Sequence, residues 1–217
     1  MIRHITLPDS LSFSDYFKLN FYPEEILQYF DYSFEMKLLN LAKHIDLAEI
    51  DALEKRLIKS LPYITFDNEM ARREFLIAPV LIDLLDYTKS NLKVSYSLII
   101  NNQLKGELDY FIESSRQANG ESGRQFLVIE AKDENLERGF KQLAVEMVAL
   151  AHVLEDSQRF IYGAVSIGKV WQFGVLDRKL KSVIQDLHLY RVPDDLRDLM
   201  GILVAILNGE NLSINES

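Results

Sequence analysis

Apolar residues recur at intervals of three and four through residues 11–60, and this spacing is typical of amphipathic helices. One such series consists of Ile26, Leu27, Phe30, Phe34, Leu38 and Leu41. A helix is expected to begin at Pro23 and Glu24, because proline is favoured in the first helical turn. A second helix is expected over 47–60. The start of the chain is therefore predicted to be helical as far as Pro62.

A third helix is expected where Asp67 or Asn68 can cap a new apolar series, with Glu69 in its positively polarised first turn. Pro79 lies within this series. Because proline has no backbone N–H, it should kink the helix or mark a seam in it.

The apolar spacing changes to two after Leu92, which predicts strands. Two consecutive asparagines separate two alternating runs, so we expect a hairpin over 92–113. The segment 114–124 is polar and contains two glycines, and we expect it to be a mobile loop before an apolar strand at 125–131.

Helical spacing returns at 136–154, and a closing helix is expected to start near Pro193 and to end at Gly209. The strands expected between these helices cover 160–165, 169–175 and 182–192. This order predicts an α/β protein with a mixed sheet of about four or five strands flanked by helices. We expect residues 1–65 to form a helical region that packs on a core domain of residues 66–217.

Composition restricts the class of protein further. With 217 residues and 48% apolar content, the chain can bury one sizeable core. It has no cysteine, which excludes disulfides, thiolate nucleophiles and zinc–thiolate sites. We find no secretory signal or membrane-spanning run and expect a cytoplasmic protein that enters no membrane. The formal net charge of −9 argues against a broad basic surface that coats nucleic acid, although an acidic metal site accounts for part of that charge.

Acidic and basic residues lie on two neighbouring predicted strands. Asp109 belongs to the second strand of the hairpin, and Glu130 and Lys132 end the next strand. Side chains alternate along a strand, so Glu130 and Lys132 share one face, and strand pairing can bring Asp109 beside Glu130. Two carboxylates and an intervening backbone carbonyl form a hard oxygen site suited to Mg²⁺ or Mn²⁺, which activates water. Lys132 can hold that water or stabilise charge on phosphoryl oxygens.

Asp109 followed by Glu130-Ala131-Lys132 resembles the motif of the PD-(D/E)XK, or restriction-endonuclease-like, nuclease superfamily. The sequence is more closely similar to the nuclease domain of type I restriction motor subunits and to related stand-alone proteins. There, a Glu on the first core helix is followed by Arg, an apolar residue and Pro. The corresponding residues here are Glu69, Arg73, Ile77 and Pro79. The resemblance implies a restriction-endonuclease-like fold over roughly residues 67–175.

The resemblance also implies roles for two polar residues on helices. Glu69 would support the metal ligands or their water, with Glu74 as the alternative on the same helix. Gln142, on the helix after the lysine strand, would approach the site. Two positions depart from the family pattern: Glu146 replaces an aromatic residue, and Leu108 stands where the founding motif has Pro.

Each of these residues also has a structural interpretation. The acid, acid and lysine set fits an exposed cross-strand ion pair, Glu69 fits a residue that interacts with the helix dipole, and Gln142 fits a surface position. Arg72 and Arg73 can contact phosphate or pair with neighbouring glutamates. Further candidates for contacts to a nucleic-acid backbone are Lys105, Arg116, Arg124 and Lys141.

The order and context of the motif favour the catalytic interpretation. We expect a Mg²⁺- or Mn²⁺-dependent endonuclease, a hydrolase that cleaves phosphodiester bonds of nucleic acid, DNA in particular, in restriction, defence or repair. The expected catalytic residues are Lys132, Asp109, Glu130 and Gln142, and the expected metal ligands are Asp109, Glu130 and Glu69. A motor or specificity function would need a separate protein, and a dimer is compatible with the sequence. The alternative is a catalytically inactive nuclease-fold module that binds protein or nucleic acid.

Overall fold

One mixed sheet forms the centre of the computed structural model, which describes residues 4–114, 125–131, 135–155 and 158–210. Its eight strands are β1 (Ser33–Lys37), β2 (Asn91–Ile99), β3 (Lys105–Ser114), β4 (Gln125–Ala131), β5 (Phe160–Ser166), β6 (Val170–Asp177), β7 (Ser182–Asp186) and β8 (Tyr190–Arg191). They are ordered β1-β7-β6-β5-β4-β3-β2, and β8 pairs with β6. β1 is parallel to β7 and β4 is parallel to β5, whereas the other pairs are antiparallel.

Helices cover both faces of the sheet. One face, here called the α6 face, packs against α1 (Phe13–Lys18), α2 (Pro23–Tyr29) and α6 (Leu136–Ala151). The opposite face, here called the α5 face, packs against α3 (Ile50–Ser60), α5 (Ala78–Thr88) and α7 (Leu196–Asn208). A short helix α4 (Glu69–Arg72) leads into α5 through a π-helical turn, Arg73–Ile77, and a 3-10 turn, Leu61–Tyr63, follows α3. Two hydrophobic clusters therefore sandwich the sheet, as in other layered α/β proteins.

Two glycines that face each other in the sheet allow α6 to approach it closely. Gly163 of β5 lies opposite Gly174 of β6. A Cβ atom at Gly163 would lie 2.8 Å from a methyl carbon of Leu143, and one at Gly174 would lie 2.7 Å from the ring of Phe140. Side chains at these two positions would push α6 away from the sheet, and with it the polar residues that α6 presents to β4.

Most predicted elements form close to their expected bounds. The hairpin is β2–β3, and β4, α6, β5, β6 and α7 follow in the predicted order. Asn68 caps α4 by accepting a hydrogen bond from the N–H of Ala71 (2.9 Å). The predicted seam at Pro79 is also confirmed: the N–H of Ala78 donates to the carbonyl of Arg73, five residues earlier, which is the bond of a π turn. Gly209 ends α7 with a left-handed φ of 72°.

The helical prediction was wrong for residues 33–37, which form β1, and for residues 38–49, which lie in no helix. Helix α2 ends at Tyr29, and Asp31 reverses the chain with a left-handed φ of 61°. Phe34 then packs beside Phe140 of α6, with 6.2 Å between ring centroids. A short series of apolar residues at helical spacing can thus be accommodated in a strand that pairs with β7, and it does not require a helix. The sheet has more strands than the four or five expected, because β1 joins it and the single strand expected over 182–192 forms the two strands β7 and β8.

Trp171, Tyr162 and Phe173 are buried in the core. No helix within the described residues is long and apolar enough to cross a membrane. The loop predicted over 114–124 falls, apart from Ser114, outside the described residues.

Candidate active site

Asp109 and Glu130 lie on neighbouring strands at the edge of the sheet where β4 ends. The antiparallel ladder between β3 and β4 has Tyr110 opposite Ile129 as its last pair. The next positions along the two strands are Asp109 and Glu130. The backbone register therefore brings the two predicted acids next to each other, as the sequence led us to expect.

Asp109 stands where β3 changes the orientation of its side chains. Leu108 belongs to the cluster on the α6 face and Tyr110 to the cluster on the α5 face, although residues two apart in a regular strand share a face. On β2, the residue at this level is Ser95, whose left-handed φ of 50° interrupts the ladder. Asp109 Oδ2 accepts a hydrogen bond from the backbone N–H of Ala131 (2.9 Å). The irregularity thus fixes the Asp109 carboxylate against the end of β4.

Arg73 holds the other oxygen of Asp109. It is the first residue of the π-helical turn, and its Nη1 lies 3.1 Å from Asp109 Oδ1. Its Nε donates to the hydroxyl of Tyr110 (3.4 Å), and its guanidinium lies over the Tyr110 ring, 5.1 Å from the centroid. Glu69 Oε1 is 3.9 Å from the same Nη1. Burial opposes the charge of Arg73, but Tyr110, Asp109 and Glu69 outweigh it and raise the pKa of Arg73 above its ordinary value.

Glu130 is held from the α6 face by a buried polar cluster. Nε2 of Gln142 donates to Glu130 Oε1 (2.7 Å) and to Glu146 Oε1 (2.9 Å), so one amide group joins two carboxylates. All three side chains are buried. Gln142 and Glu146 lie four residues apart and so share one face of α6. The cluster excludes bulk water from the base of the Glu130 side chain.

The described site residues thus lie at one end of β4, but they reach it from different faces of the sheet. Asp109 accepts a hydrogen bond from Arg73, on the helical segment of the α5 face. Glu130 accepts one from Gln142 on the α6 face. Glu69 lies 3.9 Å from Nη1 of Arg73, and the alternative Glu74 is exposed. The residues described contain no group of three or more His, Asp or Glu side chains placed to hold a metal ion. Lys132 lies outside the described residues.

Two residues contribute to the site in ways that the sequence analysis did not predict. Glu146 was noted only as a departure from the family pattern, although a Gln and a Glu four residues apart in an apolar helix already indicate a buried polar pair. Arg73 was expected to bind phosphate or to pair with Glu69. Its main partner is Asp109, and no local spacing could have indicated a contact between residues so far apart in the chain.

Two of the candidates for contacts to a nucleic-acid backbone have structural contacts instead. Lys141 is buried, and its ammonium donates to the carbonyls of Leu19 and Phe21, which ties the α1–α2 connection to α6. Lys105 donates to the hydroxyl of Ser10 (2.9 Å). Arg116 and Arg124 lie outside the described residues.

No protein-family model matches the sequence, and no curated protein matches it. The function must therefore be argued from the site itself. The site offers two acids in register on adjacent strands, an arginine that contacts one of them, and a buried glutamine that contacts the other.

Proposed function

We propose that this protein is a metal-dependent nuclease that hydrolyses phosphodiester bonds of nucleic acid, DNA in particular, and that its fold is restriction-endonuclease-like. One observation supports the proposal most directly: the β3–β4 register sets Asp109 beside Glu130 at the end of a buried strand. The order of helix, three antiparallel strands, helix and parallel strand agrees with the region over which the sequence resembles the nuclease superfamily.

The residues at this edge fit a hard divalent cation. Asp109 and Glu130 supply carboxylate oxygens, which Mg²⁺ and Mn²⁺ prefer. Gln142 Oε1 is buried and has no hydrogen-bond partner among the described residues, so an acceptor is available beside the Glu130 carboxylate. We propose that Asp109 and Glu130 hold the ion, with Glu69 supporting it from the other side of Arg73. A bound ion would activate water for attack and offset charge on the phosphate.

The protein's own residues would have distinct roles. Gln142 holds Glu130 Oε1 in place without adding a positive charge, which preserves the affinity of that carboxylate for a cation. Lys132 follows Ala131, whose N–H binds Asp109, and we propose that its ammonium stabilises charge on the phosphoryl oxygens. Arg73 would orient Asp109 and compete with the ion for Oδ1. If cleavage depends on a motor or on target recognition, a separate protein would supply it.

Cleavage of DNA by purified protein tests the proposal. Supercoiled and linear DNA would be incubated with Mg²⁺ or Mn²⁺, and the Asp109→Asn and Lys132→Ala variants should lose cleavage. Asp83→Asn is a matched control, because Asp83 also pairs with an arginine, Arg56, at 2.7 Å, but far along α5 from the site. Cleavage that persists in both site variants at the rate of the control would refute the proposal.

A second candidate function is a nuclease-fold module that binds protein or nucleic acid without cleaving it. Two observations favour it: both oxygens of Asp109 already have partners in Arg73 and Ala131, and the described residues contain no metal-binding group of three. Calorimetric titration with Mn²⁺ separates the two candidates. If the unaltered protein neither binds Mn²⁺ nor cleaves DNA, the module is the better description.

A further inference from the structure

Strand β1 forms one edge of the sheet and leaves its outer side open. Of the strands that the structure describes, β7 alone pairs with it. Four of its five residues are exposed, including Met36 (54%), and Leu38, just after the strand, is 68% exposed. Apolar side chains on an open strand edge favour pairing with another strand.

The hydrogen bonds to β7 fix which backbone groups face outward. The N–H of Ser33 donates to the carbonyl of Lys181 (2.9 Å), and the N–H of Leu187 donates to the carbonyl of Lys37 (2.9 Å). Odd-numbered residues of β1 therefore direct their N–H and C=O groups toward β7. Because these directions alternate along a strand, Phe34, Met36 and Leu38 direct theirs outward.

We propose that β1 binds β1 of a second copy of this chain, antiparallel and centred on Met36. The two-fold axis would set Met36 opposite itself, so that two residues with outward N–H and C=O groups form a hydrogen-bonded pair. The same register sets Phe34 opposite Leu38 and Glu35 opposite Lys37 of the other copy. The strand is thus complementary to itself in backbone direction, in apolar contacts and in charge.

The opposite edge of the sheet, β2, also exposes apolar side chains, Val94 and Ile99, but it is irregular. In β2, the left-handed Ser95 interrupts the strand, and Lys93 lies over the rings of Tyr96 and Phe111 at 4.8 and 5.4 Å. A bend in an edge strand and a lysine on it are common protections against pairing. In β1, Glu35 and Lys37 pair with each other within the strand at 2.5 Å, and in this register each also lies opposite the oppositely charged residue of the second copy. The inference does not depend on the proposed nuclease activity.

Removing one outward N–H tests the proposal. Met36→Pro takes away a donor that does not face β7, so the monomer should keep its fold, whereas the pair centred on this residue would be blocked. We expect the unaltered protein to dimerise reversibly with a dissociation constant in the micromolar range, as a small interface predicts, and Met36→Pro to be monomeric. Sedimentation equilibrium gives the constants, and circular dichroism checks the fold. An unaltered protein that stays monomeric throughout the micromolar range would refute the proposal.

Charge exchange tests the register without a proline. Glu35→Lys and Lys37→Glu should each weaken self-association about tenfold, because like charges then face each other twice. A mixture of these two variants should form a heterodimer about as stable as the unaltered dimer, since each lysine of one chain then faces a glutamate of the other. Dimerisation that is equally strong in both single variants, or a mixture that shows no heterodimer, would exclude this interface.

Discussion

Two buried acids at opposite ends of the central strands are held by different kinds of partner. Asp177, at the end of β6, is bound by the guanidinium of Arg159, with Nη2 at 2.7 Å and Nε at 3.1 Å from Oδ2. The backbone N–H groups of Lys179 and Leu180 donate to Oδ1 at 2.9 and 3.2 Å. Arg159 therefore neutralises the negative charge of Asp177, and the hydrogen bonds to Asp177 stabilise the β6–β7 turn.

Glu130, at the end of β4, accepts a hydrogen bond from the neutral amide of Gln142, which it shares with Glu146. An amide donor fixes the direction of a carboxylate but adds no positive charge. Burying acidic groups in this way costs stability, which proteins accept where the charge serves binding or catalysis. The comparison assigns Asp177 a role in folding and fits the role of metal ligand that we propose for Glu130.

The largest expected effect follows from removing the charge of Glu130. Glu130→Gln keeps an oxygen that can accept from Gln142, so the free energy of unfolding should change by less than about 1 kcal/mol. Metal-dependent cleavage should fall by at least about 100-fold, because a cation ligand is lost. Plasmid cleavage and urea unfolding measure the two quantities. Glu113→Gln on β3 is the matched control, and equal cleavage by both variants would contradict the distinction drawn here.

Asp177→Asn should show the reverse pattern. The substitution removes a charge-assisted pairing with Arg159 and should lower the free energy of unfolding by about 2 kcal/mol. Cleavage per folded molecule should not change, because Asp177 lies at the opposite end of the strands from Asp109 and Glu130. Thermal unfolding followed by circular dichroism, with cleavage measured on the same samples, tests this. A loss of cleavage without a loss of stability would show that the two ends are not independent.

The free energy of unfolding should depend on pH differently in the unaltered protein and in the Asp177→Asn variant. Burial on its own would raise the pKa of Asp177, but Arg159 and the two backbone donors lower it below its ordinary value of 3.8. The stabilisation is therefore complete well above pH 3.8 and is lost as the pH falls below that value through the folded-state pKa. Urea unfolding at successively lower pH should show the unaltered protein and Asp177→Asn converging in stability as the pH falls below 3.8. A constant difference would contradict this assignment.

Features set by neighbouring residues were predictable from the sequence. The cap at Asn68, the seam at Pro79 and the end of α7 at Gly209 each depend on one side chain and its own backbone. The β2–β3 hairpin and β4 followed from alternation, which also set Asp109 and Glu130 on adjacent strands. Local chemistry therefore determines most of the elements on which the site depends.

Features set by distant contacts were not predictable. β1 is extended because β7, almost 150 residues later in the chain, pairs with it, although Phe34 and Leu38 fit a helical series. The change of face at Asp109 requires the left-handed backbone of Ser95 on the neighbouring strand. The pairing of Arg73 with Asp109 likewise depends on how the π turn packs on the sheet. Each of these features depends on tertiary packing, which the spacing of residues along the sequence does not reveal.

The smallest predicted effect concerns the competition between Arg73 and a cation for Asp109. Nη1 of Arg73 lies 3.1 Å from Oδ1, and its side chain is 23% exposed, so the attraction is partly screened. Arg73→Gln should therefore tighten Mn²⁺ binding by only a few-fold, about threefold, measured by calorimetric titration. Arg56→Gln, which removes the comparable pair with Asp83, should leave the affinity unchanged. Weaker Mn²⁺ binding in Arg73→Gln would mean that Arg73 mainly orients Asp109 for the ion and competes with it less. Asp109 would then resemble Asp177, which is held by an arginine, more than Glu130.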